Sequence, residues 1–187
     1  MITQIFTQNC MKISTLFSLS PGSRFNRKQI QEKVHLNNIP LDISLLRLVN
    51  SGILKRERNF YSIDFENNYS KKILDICGKQ FKQLKELPLN VYYMLADLAQ
   101  YFSATKGNEL ILFGSFAKLT YTAKSDADVA LLYGINPDKR KIGTLISKLK
   151  KIYGKNIEIH YFEKKTFYKN KRDPMVKSIL KDGAKIV

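Results

Sequence analysis

The chain of 187 residues has no tryptophan, two cysteines, two histidines, and 16 acidic side chains against 32 basic ones. Cys10 and Cys77 stand alone, without CxxC spacing or a nearby histidine cluster, so neither a disulfide framework nor a zinc site is indicated. Two buried free thiols are expected instead. No apolar run approaches the roughly 18 residues that a membrane span requires, and the N-terminus has no basic leader followed by a compact apolar stretch. A cytoplasmic protein with no membrane partner is the expectation. What the chain does have is 44% hydrophobic residues, enough for one medium core or two small ones.

The shortage of acids leaves a formal charge of +16, spread unevenly: residues 1–66 contribute +4, residues 67–104 +2 and residues 105–187 +10. Such an excess attracts polyanions, acidic partners or nucleic acid, most strongly in the C-terminal part. A lysine-rich solvated surface accounts for it equally well.

Apolar side chains at Ile5, Phe6, Cys10, Ile13, Leu16 and Phe17 predict a helix over about residues 2–19, ended by Ser20-Pro21-Gly22-Ser23. Asn26 followed by Gln29 is a capping-box pattern that opens a second helix, ending near His35 to Asn38. A third helix is expected to open at Pro40 and to stop at Gly52. Two strand-like runs, 53–56 and 60–63, flank Glu57-Arg58-Asn59 as a tight hairpin.

Three helices and a hairpin in this order, with Leu45-x-x-Leu48-Val49-x-x-Gly52-Ile53-Leu54-Lys55 before a Tyr61-bearing strand, resemble a winged helix-turn-helix domain over about residues 1–66. The resemblance implies DNA contacts from Arg27 and Lys28 on the second helix, Arg47 and Asn50 on the third, and Arg56 and Arg58 at the hairpin tip. Asp42 on the third helix opposes phosphate, and many winged helices serve as dimerisation or protein-docking modules.

Residues 67–104 read as a helical connector. One amphipathic helix runs from Tyr69 to Glu86, Leu87-Pro88 breaks it, and a second runs from Leu89 to about Phe102; their apolar stripe suits a homodimer interface as well as a connection.

In residues 105–187 the chemistry concentrates. The apolar run Glu109 to Phe113 feeds directly into Gly114-Ser115, an order of strand, glycine and helix start that presents main-chain amides and a hydroxyl to phosphate. A second strand, Asp126 to Leu132, carries Asp126 and Asp128 two apart, hence on one face. Side-by-side carboxylates on an apolar strand repel one another and are costly to desolvate, so they call for a cation. A later strand from Asn156 to His160 offers Glu158, with His160 on the same face reading as an ordinary half-buried strand histidine. Between these strands, Lys139 to Tyr153 forms an amphipathic helix, and Asp173-Pro174 opens a last helix ending at Gly183. The lysines of the tail, Lys164, Lys165, Lys169 and Lys171 with Arg172, suit a polyanionic acceptor or simply a solvated face.

The string Leu112-Phe113-Gly114-Ser115-Phe116-Ala117-Lys118, followed by Ser125-Asp126-Ala127-Asp128-Val129, resembles the signature of the DNA polymerase beta superfamily of nucleotidyltransferases, and within it the minimal nucleotidyltransferases. The resemblance covers roughly residues 89–187. It implies an α+β chain whose C-terminal domain is a mixed sheet with helices, with ATP or another nucleoside triphosphate as substrate and Mg2+ or Mn2+ as cofactor. Carried over to matching positions, it implies nucleotide contacts from Gly114, Ser115, Lys118 and Ser125, metal binding by Asp126, Asp128 and Glu158, and proton acceptance by Glu158. Where the family has Ala-Arg-Gly after Gly-Ser, this chain has Ala117-Lys118-Leu119, which keeps the charge but loses bidentate geometry and a glycine.

The implied reaction is transfer of a nucleoside monophosphate, AMP in the leading case, to a hydroxyl. A tyrosine on a HEPN-type toxin is the implied acceptor, with the winged helix regulating its own operon. Two alternatives stay open: transfer onto RNA ends, and a non-catalytic DNA-binding regulator with a degenerate nucleotidyltransferase domain.

Overall fold

The computed structural model describes residues 2–84, 87–104 and 107–187, organised as two compact units, Met1–Gln83 and Leu84–Val187. In the first unit, a 3-10 turn at Ile2–Ile5 precedes α1 (Gln8–Leu19). The expected single helix is interrupted because the Thr7 side chain accepts from the Cys10 amide and so fixes the helix start at residue 8. β1 (Phe25–Asn26) leads into α2 (Arg27–Val34), which opens on the capping box: Asn26 Oδ1 accepts from the Gln29 amide, and Gln29 Oε1 accepts from the Asn26 amide, both at 2.9 Å. His35 closes α2 in the left-handed conformation.

Helix α3 (Asn38–Asn50) begins two residues before Pro40, which lies in its first turn where amides need no intrahelical acceptor. The hairpin of β2 (Leu54–Glu57) and β3 (Phe60–Ile63) pairs Glu57 with Phe60, leaving a two-residue loop with Arg58 at a φ of 54°. β1 adds to the far side of β3, giving the order β1-β3-β2. This two-residue strand is too short to leave a periodic signal. α4 (Asn68–Gln83) packs on α1, burying Ile73, Leu74, Cys77 and Phe81. Both cysteines are free and buried, and burial pushes the Cys77 thiol up to about 11. Lys85 and Glu86, the expected end of this helix, lie outside the described residues.

The second unit opens with α5 (Leu89–Ser103), whose Val91, Tyr93, Met94, Leu95 and Leu98 are fully buried, so α5 belongs to the core of this unit. Thr105 and Lys106, at the expected domain boundary, also lie outside the described residues. β4 (Glu109–Phe113), α6 (Gly114–Lys118), β5 (Ala127–Tyr133), α7 (Lys139–Tyr153), β6 (Ile157–Glu163), α8 (Lys164–Lys169), α9 (Pro174–Asp182) and β7 (Ala184–Lys185) follow. The sheet order is β6-β5-β4-β7. β5 and β6 run parallel, joined through α7, and the other pairs are antiparallel, so the sheet is mixed.

Caps define the helices: Asp138 accepts from the Arg140 and Lys141 amides at the start of α7, and Asp173 from the Met175 and Val176 amides at the start of α9. One sheet face carries Ile111, Phe113, Ala130 and Leu132 against Phe167, Val176 and Ile179 of α8 and α9. The alternating positions Leu110, Leu112, Val129 and Leu131 are buried on the other face. α5 and α7 pack together, and the Tyr153 hydroxyl donates to Asp97. No helix among the described residues is long and apolar enough to cross a membrane.

Candidate active site

The antiparallel register sets Phe113, the last residue of β4, opposite Asp128. The chain then turns into α6 through Gly114 at a φ of 69°, a conformation that disfavours any residue with a Cβ. A side-chain carbon at position 114 would also meet the Asp128 carboxylate. Two independent demands, backbone angle and space, therefore fall on one glycine. Ser115 follows, half-buried, in the first turn of α6.

Across the parallel pair, Asp128 lies opposite Glu158 and Ala130 opposite His160. Asp128, Glu158 and His160 each offer one ligand atom, all within 4.8 Å of one another. His160 Nε2 is 3.4 Å from Glu158 Oε1 and 4.0 Å from Asp128 Oδ1. Burial holds the Asp128 carboxyl above its usual range, neighbouring Glu158 and Asp126 push the same way, and His160 opposes them. A half-buried carboxylate crowded by two others suits a divalent cation, which would favour the ionised form. The donor set therefore fits the metal that the sequence resemblance implies.

The remaining expected site residues are engaged by other partners. Asp126 is exposed just before β5, and its Oδ2 accepts from Asn156 Nδ2 at 3.0 Å. Ser125 is committed to a turn, its hydroxyl accepting from the Thr122 amide at 2.9 Å. Lys118 is ion-paired with Asp182 at 3.4 Å. Leu119 closes α6 in the left-handed conformation, φ 58°, with its side chain 54% exposed. The position that the family fills with glycine thus keeps glycine-like geometry in this chain.

Sequence reasoning placed His160 on the face of Glu158 but read it as an ordinary strand histidine, and it did not single out Asn156. The i, i+2 spacing from Glu158 was the available signal for His160, but proximity to Asp128 depends on the register between β5 and β6. For Asn156, preceding β6, no local signal exists.

Of the residues expected to contact DNA, Lys28, Asn50, Arg56 and Arg58 are exposed and Arg47 is half-buried. Arg27 is engaged: Nε and Nη2 donate to the two Asp42 oxygens at 2.6 and 2.9 Å, and Nη2 donates to Asn38 Oδ1 at 3.1 Å. This pairing lowers the Asp42 carboxyl and raises the Arg27 guanidinium relative to their ordinary values. The outward face of α3 also presents Ile39, Ile43 and Leu46 to solvent.

A strand, a glycine turn and clustered acids on the next two strands are the features of an α+β phosphate-handling domain. Over residues 94–187, half of its length, the chain matches the family model for the nucleotidyltransferase domain, and it belongs to that family. No curated protein and no solved structure matches it. Family membership supports a transferase that acts on a nucleotide.

Proposed function

We propose that the C-terminal unit is a metal-dependent nucleotidyltransferase that moves a nucleoside monophosphate, AMP from ATP in the first instance, onto a hydroxyl acceptor. The observation that carries this reading is the fit of Gly114 against Asp128, with Glu158 in register beside it. The amides that follow Gly114 and the Ser115 hydroxyl receive the triphosphate. Asp128 and Glu158, with Asp126 at their edge, would hold Mg2+ or Mn2+. Bound there, the ion supplies positive charge against the nucleotide phosphates. Glu158, exposed at the mouth of the cluster, accepts the proton of the incoming hydroxyl. As that oxygen bonds to the α-phosphorus, the bond to the bridging oxygen breaks and pyrophosphate leaves. Lys118 reaches phosphate only by exchanging its Asp182 partner.

A tyrosine on a HEPN-type toxin protein is the proposed acceptor. RNA ends are the second class, supported by the +10 charge of residues 105–187. Incubation with labelled ATP and Mg2+, offering the neighbouring gene product and tRNA in parallel, separates the two. Labelling that survives in Asp126→Ala/Asp128→Ala would exclude the proposed site.

For the N-terminal unit the proposal is a winged helix-turn-helix that binds DNA and regulates its own operon. Lys28, Arg47, Asn50, Arg56 and Arg58 carry it, because Arg27 is held by Asp42. The apolar outward face of α3 favours the other use of this domain, docking of a protein, including a second copy of the chain. Binding to its own promoter whose salt slope falls by about 2 in Arg56→Ala/Arg58→Ala supports DNA contact. A slope unchanged by that substitution favours docking.

A further inference from the structure

The three donors that converge are not the acid pair that stands out in the sequence. Asp128 comes from β5, Glu158 and His160 come from β6, and Asp126 is turned aside to Asn156. Period-two alternation puts His160 on the face of Glu158, and its partner across the strands is Ala130, whose methyl leaves room for the imidazole to lean toward Asp128. The ring packs edge-on against Phe113, centroids 5.1 Å apart at 72°, and Phe113 immediately precedes the glycine turn. The imidazole is 25% exposed, so both packing and burial restrict its orientation.

Ion pairing accounts for the two contacts only when the imidazole is charged. The same nitrogen, Nε2, faces both carboxylates, at 3.4 Å from Glu158 and 4.0 Å from Asp128. A single N–H aimed at the nearer oxygen leaves the other, at 4.0 Å, beyond hydrogen-bond range. In the neutral tautomer that keeps its proton on Nδ1, the Nε2 lone pair would point between the two carboxylates, which is the disposition of a metal ligand. Metal–donor bonds of about 2.0–2.2 Å set neighbouring donors about 3 to 3.6 Å apart. The Glu158 separation, 3.4 Å, falls in that range, and Asp128, at 4.0 Å, would enter it by a side-chain rotation.

We propose that His160 is a direct ligand of the cation held by Asp128 and Glu158, and that it shifts the site from Mg2+ toward a first-row transition cation such as Mn2+ or Co2+. Magnesium favours an all-oxygen octahedron with several waters retained, whereas imidazole nitrogen suits the transition series. This rests on the reading of Asp128 and Glu158 as the metal-holding carboxylates.

The test uses the full chain, stripped of metal and without nucleotide. Loaded with Mn2+, wild type shows nitrogen coupling in pulsed electron paramagnetic resonance; the coupling changes to the 15N pattern when histidine is 15N-labelled and disappears in His160→Gln. The only other histidine, His35, lies in the N-terminal unit. In titrations followed by visible absorption, Co2+ affinity falls about 10- to 100-fold in His160→Gln. Mg2+ affinity, read by competition, changes far less. His160→Phe, which keeps a ring against Phe113, gives the same loss.

Absence of histidine coupling in wild type overturns the proposal, as does an equal fall in Mg2+ and Co2+ affinity. Nucleotide transfer by the same preparations is scored separately. Transfer without coupling removes His160 from the ligand set and leaves the proposed activity intact. Coupling without transfer to any offered acceptor supports the ligand and counts against the activity.

Discussion

Gly114 faces Asp128 so closely that a methyl group at position 114 would overlap Oδ2 and lie 2.9 Å from Cγ. The turn proposed to receive phosphate and the acid proposed to hold metal are therefore built against each other. Gly114→Ala is expected to destabilise the protein by about 2 kcal/mol, from left-handed strain and overpacking together, and to abolish nucleotide transfer. In an Asp128→Ala background the same substitution costs at least about 1 kcal/mol less, because the overlap with Oδ2 and Cγ is gone and only the 3.2 Å contact with Cβ remains. Equal costs in both backgrounds, measured by denaturant unfolding, would show that strain alone acts at this glycine.

The raised Asp128 carboxyl gives a pH signature. A carboxyl whose folded pKa lies above its unfolded value binds more protons when folded, so its contribution to stability falls as pH rises from the ordinary aspartate range through the raised value. A cation bound at the proposed site would oppose that loss. Mn2+ at one hundred times the dissociation constant should stabilise the folded protein by about 2.7 kcal/mol at neutral pH, read as a raised unfolding midpoint. The gain shrinks as Asp128 becomes protonated at lower pH and is lost in Asp128→Asn. A metal-induced shift that persists in Asp128→Asn would move the ion elsewhere.

Leu119 holds a left-handed conformation with its side chain largely in solvent. Leu119→Gly relieves strain of about 1 to 2 kcal/mol and loses about 0.5 to 1 kcal/mol through chain entropy, so a net gain of about 0 to 1.5 kcal/mol is expected. Thermal unfolding checks the sign. A lower midpoint would mean that the leucine makes a stabilising contact in the folded protein that outweighs its strain.

Glu109 bonds to Lys164 and accepts from the Tyr168 hydroxyl, with Lys185 nearby, and these partners hold its carboxyl below the usual range, Lys164 most strongly. Here the folded state binds fewer protons than the unfolded state. The stabilisation is therefore complete above the ordinary glutamate value of about 4.3 and is lost as pH falls through the lowered folded value. Glu109→Gln should unfold at a lower temperature than wild type at pH 7, with the gap closing in acid. A gap independent of pH would assign the effect to packing rather than charge.

Much of the local structure was legible without coordinates. The strand Glu109–Phe113, the helix Lys139–Tyr153 and the capping box of Asn26 and Gln29 occur where spacing and caps put them, because their causes lie within four or five residues along the chain. The glycine turn and the two aspartates were legible for the same reason. The two-residue strands β1 and β7 were not, since pairing with a partner is all that makes them strands.

Amino-acid order by itself determined which residue types are available and how each stretch coils or extends. Tertiary structure alone decided that Glu158 stands beside Asp128, that His160 joins them while Asp126 turns to Asn156, that Lys118 is held by Asp182, and that Arg27 is held by Asp42. The physical reason is register. Parallel strands joined through a fifteen-residue helix can slide by two residues without disturbing any local periodicity or moving a side chain to the other face, and only the packing of particular side chains against their tertiary neighbours selects one alignment.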